Sequence, residues 1–423
     1  MSRTLGNKDA DGSVSTTLQT LLLEHGFEDR EASGEPGGLH FHLASPRETI
    51  EWDRFARSQG KTLVNKYRSH ASLTRKSNLA RAATSTPGMR HPQTFVITPM
   101  LLHAADEGLS AIQLDKRKAM RAKDAAAREE FSEIGAREPG GGCWIIKDAQ
   151  GAKGDNIAVV EGIAAALAEV DGGAHQTACV VQRYVRAPLL LPGGRKFDVR
   201  CWVLFAPSMR VYMHRQGVCR TSSSEYSDDL SDTLAHITNH CVQEKHPDFG
   251  SHEEGNELFF DAFGRWLHTA HGVDFEAAVL PQLHAIIAHS AHAVYEQLRT
   301  PPDTTVGSFQ LLGYDFLLDA TYAPHLLEVN GSPAIAAVLN RTITADMLAL
   351  LLAEHTPRAA APPAAGATAA APPAARPPLS PLETAQCASG ADVTAQADRG
   401  AACAERPPNN GFQLVYTPGV PPA

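Results

Sequence analysis

Alternating polar and apolar positions predict one strand with two contrasting faces. In residues 195–205 (RKFDVRCWVLF), Lys196, Asp198 and Arg200 share one face, and the apolar residues between them share the other. The apolar face is typical of a strand that packs on a core. The charged face is either a solvated ladder of cross-strand pairs or a row of groups that meets phosphate, metal and an anionic substrate.

A second apolar pattern, residues 308–333 (SFQLLGYDFLLDATYAPHLLEVNGSP), predicts two strands joined by a turn at 320–323. If the strands pair symmetrically about that turn, Asp315 faces Glu328, and Asn330 lies on the same face. Facing carboxylates repel unless a cation separates them, and carboxylate and amide oxygens suit Mg²⁺. The alternative is a plain hairpin with one carboxylate in solvent and the other capping a turn. A register slip of one residue would turn Asp315 to the wrong face.

The remaining hydrophobic patterns predict an α/β (α+β) chain of short strands and amphipathic helices. Further strands are predicted at residues 39–44, 94–98, 143–148, 156–160, 178–184 and 211–214. Helices are predicted at residues 17–25, 100–131, 161–170, 253–270, 275–299 and 341–355, with one more after a capping box at 45–48.

Composition divides the chain into a folded body and two polar ends. Residues 1–15 are predicted to be disordered, and so is the Ala/Pro-rich tail 357–423. Within the tail, the segment FQLVY (412–416) could add a strand to the body, but its surroundings favour disorder.

Charge and cysteine content exclude several classes of protein. The net charge of −9 over 423 residues does not support a general nucleic-acid binder. The 7 cysteines are scattered and form no C-x-x-C pair, which predicts reduced thiols of a cytoplasmic protein. No apolar signal segment and no run of transmembrane length occurs, so a membrane location is not expected.

Two stretches could bind anions. Residues 61–90 carry 7 Lys and Arg and no Asp or Glu, which indicates either a solvated surface or a site for an acidic partner. Residues 149–154 (AQGAKG) join two predicted strands, and their glycines would let the backbone approach a phosphate that Lys153 neutralises. Most such turns are ordinary, and a Walker A sequence is absent. Lys147, on the strand before this turn, needs an anionic partner or access to solvent.

Seven blocks resemble, in order, those of the tubulin–tyrosine ligase family, from Leu63 to Ala334. They are WIIKDAQGAKG from 144, VQRYVRAPLLL from 181, RKFDVRCWV from 195, GVCRTSS from 217, ITNHCVQ from 237, EEGNELFF from 253, and the hairpin residues 309–334. The segments T-N-H-C and E-E-G-N-E resemble the members that ligate tyrosine. Glutamylase and glycylase members usually carry tyrosine at the position of His240.

The resemblance implies an ATP-grasp-like fold of three subdomains, with a nucleotide site between the central and C-terminal sheets. These would be an N-terminal α/β domain (16–74), a central domain (75–187) and a C-terminal catalytic domain (188–356). The family uses ATP to activate a carboxylate as an acyl phosphate, which an amino group then attacks. Lys, Arg and Mg²⁺ stabilise the negative charge in such chemistry.

The resemblance also assigns roles to residues. Those expected to bind ATP are Lys76, Lys147, Lys153, Lys196, Asp198 and Asp315, with Gln182, Arg183, Tyr184 and Val185 as the adenine hinge and Thr238 and Asn239 as loop contacts. Those expected to hold Mg²⁺ are Asp315, Glu328 and Asn330, with K⁺ as a further candidate ion. Those expected to act in catalysis are Arg200, Arg220, Glu328, Lys196 and Asp198, the two arginines on the acceptor carboxylate and the acyl-phosphate oxygens.

The function implied is ligation of free tyrosine to the C-terminal glutamate of detyrosinated α-tubulin by a monomeric, cytoskeleton-associated enzyme. The acidic tail of the αβ-tubulin dimer would bind the basic region between Lys66 and Arg81. Two alternatives are a tubulin polyglutamylase or glycylase, and a catalytically silent tubulin-binding relative. The intact set of charged residues argues against the silent relative.

Overall fold

The computed structural model describes residues 2–9, 12–30, 36–57, 59–103, 106, 108–151, 154–299, 305–355 and 410–422. Its strands are β1 Arg3–Asn7, β2 Glu28–Asp29, β3 Leu39–Leu43, β4 Lys61–Val64, β5 Thr94–Ile97, β6 Cys143–Asp148, β7 Ala158–Glu161, β8 Cys179–Arg183, β9 Leu190–Leu191, β10 Arg195–Phe205, β11 Val211–Glu225, β12 Glu257–Phe259, β13 Val306–Ser308, β14 Gln310–Leu318, β15 Pro324–Asn330 and β16 Phe412–Tyr416. Its α-helices are α1 Ser13–Glu24, α2 Trp52–Ala56, α3 Ala71–Thr74, α4 Lys76–Thr84, α5 Ala111–Arg137, α6 Ile163–Asp171, α7 Thr233–His236, α8 His240–Gln243, α9 Phe260–His271, α10 Leu280–Leu298 and α11 Ala337–His355.

These elements form three sheets, so the mixed α/β class is confirmed. A five-stranded sheet has the order β13-β4-β3-β1-β2, and all its pairs are parallel. A four-stranded antiparallel sheet has the order β5-β8-β6-β7. A seven-stranded antiparallel sheet has the order β12-β11-β10-β14-β15, with β9 beside β10 and β16 beside β11. All sites discussed below lie within one compact unit, residues 1–348 with 411–423.

The apolar face of β10 packs into the largest core, as its alternation predicts. Phe197, Val199 and Cys201 are fully buried in a cluster that includes Phe263 of α9 and Ile287 of α10. Burial of such side chains is the main stabilising term of the fold. The charged face of β10 is thereby turned toward a separate, polar cavity. Among the described helices, none combines the length and apolarity that crossing a membrane requires.

The predicted hairpin forms, and its register is confirmed at the predicted carboxylates. Asp315 of β14 pairs with Glu328 of β15, and a register shift lies between Asp315 and Phe316. On the other side of β14, Asp315 also pairs with Arg200 of β10. Charged side chains from three adjacent strands are therefore neighbours on one sheet.

The prediction of disorder is wrong at both ends of the chain. Residues 3–7 form a strand in which Leu5 is fully buried, because β1 pairs with β3 along its whole length. Residues 412–416 form β16, where Phe412 is fully buried and its ring lies 4.9 Å from that of His214. The predicted disorder of 357–409 falls outside the described residues.

Three predicted helices differ clearly in their bounds or type. The helix predicted at 100–131 is α5, Ala111–Arg137, which begins only after the capping box of Ser110 and Gln113. The capping box at 45–48 retains a hydrogen bond from Ser45 N to Glu48 Oε2 (3.2 Å), but helix α2 begins only at Trp52. The predicted helix 253–270 is interrupted by strand β12, because the backbone of 257–259 pairs with β11 before α9 begins.

Candidate active site

Strand β10 carries the central side chains of a polar cavity of about 410 Å³. Lys196, Asp198 and Arg200 all line it and are all more than nine-tenths buried. The neighbouring strands add charges in register, because Asp198 pairs with Arg220 and Arg200 pairs with Asp315. The charged face of β10 is therefore a buried row and not a solvated ladder.

Two arginines hold the buried carboxylates of this row. Arg200 donates to both oxygens of Asp315, and Arg220 donates from Nη2 to Asp315 Oδ2 (2.9 Å) and from Nε to Asp198 Oδ1 (2.8 Å). The hydroxyl of Thr238 donates to the other oxygen of Asp198. Burial raises the pKa of Asp315, and the two guanidinium groups oppose that rise. Both arginines line the cavity, and in this structure they pair with the protein's own carboxylates. Their predicted contacts with the acceptor carboxylate and the acyl-phosphate oxygens stay predictions.

The three predicted metal ligands meet at one point. Asn330 Nδ2 donates to Asp315 Oδ2 (3.1 Å) and to Glu328 Oε1 (3.2 Å), so one amide bridges the facing carboxylates. Hard oxygen donors of this kind fit Mg²⁺, and the cations nearby balance their charge. Metal ligation by Asn330 requires its amide to turn, so that the oxygen replaces the nitrogen at this point.

Three lysines surround this corner, and the pKa values of two of them are strongly lowered. Lys147 donates to Gln182 Oε1 (3.2 Å), and burial lowers its pKa to about 8. Lys196 donates to the Tyr184 hydroxyl and to the His236 carbonyl (both 2.9 Å), and burial together with the charge of Lys147 lowers its pKa to about 7. Buried lysines with strongly lowered pKa values are typical of functional sites.

Lys76 comes from α4 and completes the positive set. Its Nζ lies 3.1 Å from Glu328 Oε2 and donates to the Gly151 carbonyl (2.7 Å). Burial alone would raise the pKa of Glu328, but the charges of Lys76 and Lys147 hold it well below its usual range. Glu328 is therefore ionised at any physiological pH. Lys153, the lysine of the glycine turn, lies outside the described residues.

The predicted adenine hinge is only partly arranged for that role. The backbone N–H groups of Arg183 and Tyr184 donate to the carbonyls of Gln93 and Cys143, so neither is available to adenine in this structure. The Arg183 side chain turns away to Glu138, with two bonds of 2.6 Å.

Val185 lies next in the chain, and its predicted role stays a prediction. The side chain of Gln182 supports Lys147, and that of Tyr184 supports Lys196. Thr238 and Asn239 both line the cavity, as their predicted contact with nucleotide or substrate requires.

Two supporting residues were missed by sequence reasoning. Gln243 is fully buried; its amide accepts from Ser223 N (2.8 Å) and donates to the carbonyls of Leu234 and Ile237 (2.8 and 2.7 Å). It therefore fixes the loop that carries Thr238. No signal in the sequence distinguishes this glutamine from an exposed one.

Arg195 is the second such residue. It is buried on the apolar face of β10 and makes two bonds of 2.9 and 2.7 Å to Glu253. The sequence did offer a signal for this residue. An arginine on the apolar face of a strand is expected to be buried, and a buried charge needs a partner. The pair holds the 253–256 loop against the sheet.

The fold and the cavity together define a mixed α/β protein with a buried cavity lined by lysines, arginines and carboxylates. Comparison with known proteins agrees, because a profile described as "Tubulin-tyrosine ligase family" matches residues 56–363. The chain belongs to this family.

Curated relatives are similar over part of the chain. A "Probable tubulin polyglutamylase ttll-9" of Caenorhabditis elegans is 32% identical over 214 residues, 49% of this chain and 50% of that protein. A "Probable tubulin polyglutamylase TTLL9" of Bos taurus is 33% identical over 162 residues, 37% of this chain and 34% of that protein. A "Tubulin glycylase 3B" of Tetrahymena thermophila is 28% identical over 218 residues, 50% of this chain and 18% of that protein. The matched regions thus span half or less of each relative.

Proposed function

We propose that this chain is an ATP-dependent ligase that joins glutamate to a carboxyl group of tubulin. The observation that carries the proposal is the convergence of Lys147 and Lys196 with Asp315, Glu328 and Asn330 in one buried cavity. Family membership supports tubulin as the acceptor, and the names of the relatives support the choice of amino acid. They favour glutamate or glycine over the tyrosine that the T-N-H-C and E-E-G-N-E segments predicted.

The charges of the cavity suit each stage of such a reaction. A carboxylate oxygen of the acceptor attacks the γ-phosphorus of ATP, and ADP leaves. The amine then attacks the acyl carbon, so that a C–N bond forms while the C–O bond to phosphate breaks and phosphate departs with the electron pair. The attacking nitrogen releases its proton to a base. Negative charge gathers on the phosphoryl and carbonyl oxygens, where fixed cations are most effective.

Each residue then has a part. Lys147 and Lys196 would hold the phosphate oxygens. Asp315, Glu328 and Asn330 would hold Mg²⁺, which, when bound, supplies further neutralisation of phosphate charge. Arg200 and Arg220 would orient Asp315 and present their remaining N–H groups to the acceptor carboxylate. A role of K⁺ and the monomeric state remain predictions.

Tyrosine ligation stays the second candidate, because His240 lines the cavity at a position where glutamylases and glycylases usually carry tyrosine. The deciding experiment incubates the full chain with ATP, Mg²⁺, detyrosinated tubulin and labelled glutamate, glycine or tyrosine in separate reactions. Incorporation of glutamate supports the proposal. Incorporation of tyrosine alone, or of glycine alone, would replace it with that activity. Incorporation of none, with no ATP binding, would favour the silent relative.

A further inference from the structure

A second cavity, of about 290 Å³, lies at the carboxyl ends of the parallel sheet. Its lining includes residues that follow the strands closely: Asp9 after β1, Ser45 after β3, Asn65 and Lys66 after β4, and Phe309 after β13. In open parallel sheets, ligands bind in the crevice outside the carboxyl ends of the strands. The topology therefore indicates a second binding site beside the cavity of the candidate active site.

Part of its wall is held rigid by amide groups that bond within the protein. Gln310 accepts from Tyr67 N (3.2 Å) and donates to the Gly331 carbonyl (2.9 Å). Asn65 accepts from Ala44 N (2.7 Å). The remaining wall is mixed: it has apolar side chains, among them Leu18 of α1, and polar ones that include the carboxylates of Asp9 and Glu328. A pocket that combines apolar side chains with oriented polar groups is typical of small-molecule sites.

Lys66 is positioned to bind an anion in this cavity. Its Nζ donates to the carbonyls of Pro46 (3.0 Å) and Glu48 (3.4 Å). An ammonium group has three N–H donors, so these bonds to the described residues leave one donor for a ligand. A carboxylate of the ligand would accept a hydrogen bond from this third N–H group.

His70 offers the complementary group. Its Nδ1 lies 3.0 Å from the Tyr67 carbonyl, which can only accept, so Nδ1 carries the proton. The neutral ring then presents Nε2 as an acceptor. Burial, together with the charges of Lys66 and Arg75, lowers the pKa of His70 and so favours the neutral ring. An amine N–H is the donor that such a nitrogen binds.

The two cavities meet at the metal corner. They share the lining residues Lys76, Gly151, Glu328, Asn330, Ser332 and Pro333. A small molecule in the second cavity can therefore reach a carboxyl group that is activated in the first. Neither cavity alone brings a nucleotide and a second small substrate to the same point.

We propose that the second cavity binds the free amino acid that the ligase joins to its acceptor, with a carboxylate on Lys66 and the amino group on His70 Nε2. The inference rests on the proposed function and adds the site of its second substrate. The volume lies at the lower end of the range for ligand pockets, which suits a single amino acid better than a peptide segment.

The test measures equilibrium binding of labelled glutamate, glycine and tyrosine to the full chain in the presence of Mg²⁺ and a non-hydrolysable ATP analogue. Lys66→Met and His70→Leu are expected to raise the Kd and the KM for the amino acid by about tenfold each, while the Kd of the ATP analogue changes by less than about twofold. Lys66→Arg, which keeps the charge, is expected to recover most of the affinity. Lys245→Met removes an exposed lysine outside both cavities and serves as the matched control.

The outcomes separate this inference from the proposed function. If the wild-type chain incorporates an amino acid, and both variants melt at the wild-type temperature with an unchanged KM for that amino acid, the cavity assignment is wrong and the ligase proposal stands. If the wild-type chain binds no ATP analogue and incorporates nothing, the proposed function itself fails. If Lys66→Met and His70→Leu raise the Kd of an acidic peptide about tenfold and leave the Kd of the amino acid unchanged, the assignment is also overturned, because the site would then belong to the acceptor.

Discussion

Lys76 Nζ lies 3.1 Å from Glu328 Oε2, and this ion pair links helix α4 to strand β15 where the two cavities meet. Each side chain exposes less than a fifth of its surface (18% and 19%), so water screens the pair only weakly. Glu328 also faces Asp315 across the hairpin. Glu328 therefore contacts both a positive and a negative side chain of the site.

Glu328→Gln is expected to leave the protein folded and to reduce ligase activity by about a hundredfold or more, because the Mg²⁺ that Glu328 would hold loses a charged ligand and no longer neutralises the reacting phosphate. The measurement is ATP-dependent amino-acid incorporation over a range of Mg²⁺ concentrations, with circular dichroism to confirm the fold. Glu276→Gln changes an exposed carboxylate outside both cavities and is the control. Comparable activity in Glu328→Gln at every Mg²⁺ concentration would refute the metal assignment.

Arg200→Lys is also expected to lose most activity, because a single ammonium cannot reproduce two bonds to Asp315. The buried carboxylate would be left partly unpaired, so the free energy of unfolding should fall as well, by about 3 kcal/mol or less. Urea unfolding and incorporation kinetics measured on the same samples distinguish the two effects. A stable variant with normal kcat would show that Arg200 has only a structural role.

The depressed pKa values of Lys147 (about 8) and Lys196 (about 7) predict two opposite pH dependences. Above pH 7 the unfolded chain holds more protons than the folded one, so these groups make the ligand-free protein more stable as pH rises toward 10. Phosphates favour the ammonium forms, so affinity for an ATP analogue should fall over the same range, with proton uptake on binding. Calorimetry at pH 7, 8 and 9 in buffers of different ionisation enthalpy measures the uptake. Binding that is independent of pH and takes up no protons would contradict the assignment of both lysines to the phosphates.

Gln243→Leu keeps the approximate volume of the side chain but removes its three bonds to the backbone. The variant should lose about 1–3 kcal/mol of stability, because buried backbone groups lose their partners. The loop that carries Thr238 should also loosen, and affinity for an ATP analogue should fall more than affinity for the amino acid. Equal losses for both ligands would mean that Gln243 supports the whole fold and not this loop.

Phe412→Ala tests the strand that sequence composition failed to predict. Removal of a fully buried ring should cost about 3–5 kcal/mol. The Kd of an ATP analogue should not change at temperatures where the variant is folded, because β16 pairs with the 211–214 end of β11 and lines neither cavity. Leu414→Ala, at an exposed position of the same strand, is the control. A stability equal to that of wild type would show that β16 is not held on the sheet in solution.

The charged corner was predictable because a strand alternates its side chains with a period of two residues. The predicted pairing of Asp315 with Glu328 was right, but it depends on a bulge that the sequence does not reveal. The pairs Leu318–Pro324 and Phe316–Leu326 would continue to place Asp315 opposite Leu327, but the register shift between Asp315 and Phe316 brings Glu328 there instead. A bulge of this kind depends on the packing around it.

Other features could not be predicted because they depend on contacts between distant parts of the chain. Arg195 and Glu253 are 58 residues apart, and Gln243 is ordinary in sequence but central in the folded loop. The short strand β1 carries one large buried side chain and is strand only because β3 lies beside it. Local patterns predicted the strand faces. Contacts between distant segments determined which polar residues are buried and hold the loops of the site.

Strand β13 completes the parallel sheet by pairing with β4, although more than half of the chain separates them. During synthesis, β1, β3 and β4 leave the ribosome long before this partner, so the edge of β4 stays open while strands β5 to β12 are made. Such late, non-local closure slows folding and exposes a strand edge to other chains. The second cavity, whose wall includes Phe309 directly after β13, can therefore form only once the hairpin region has been synthesised.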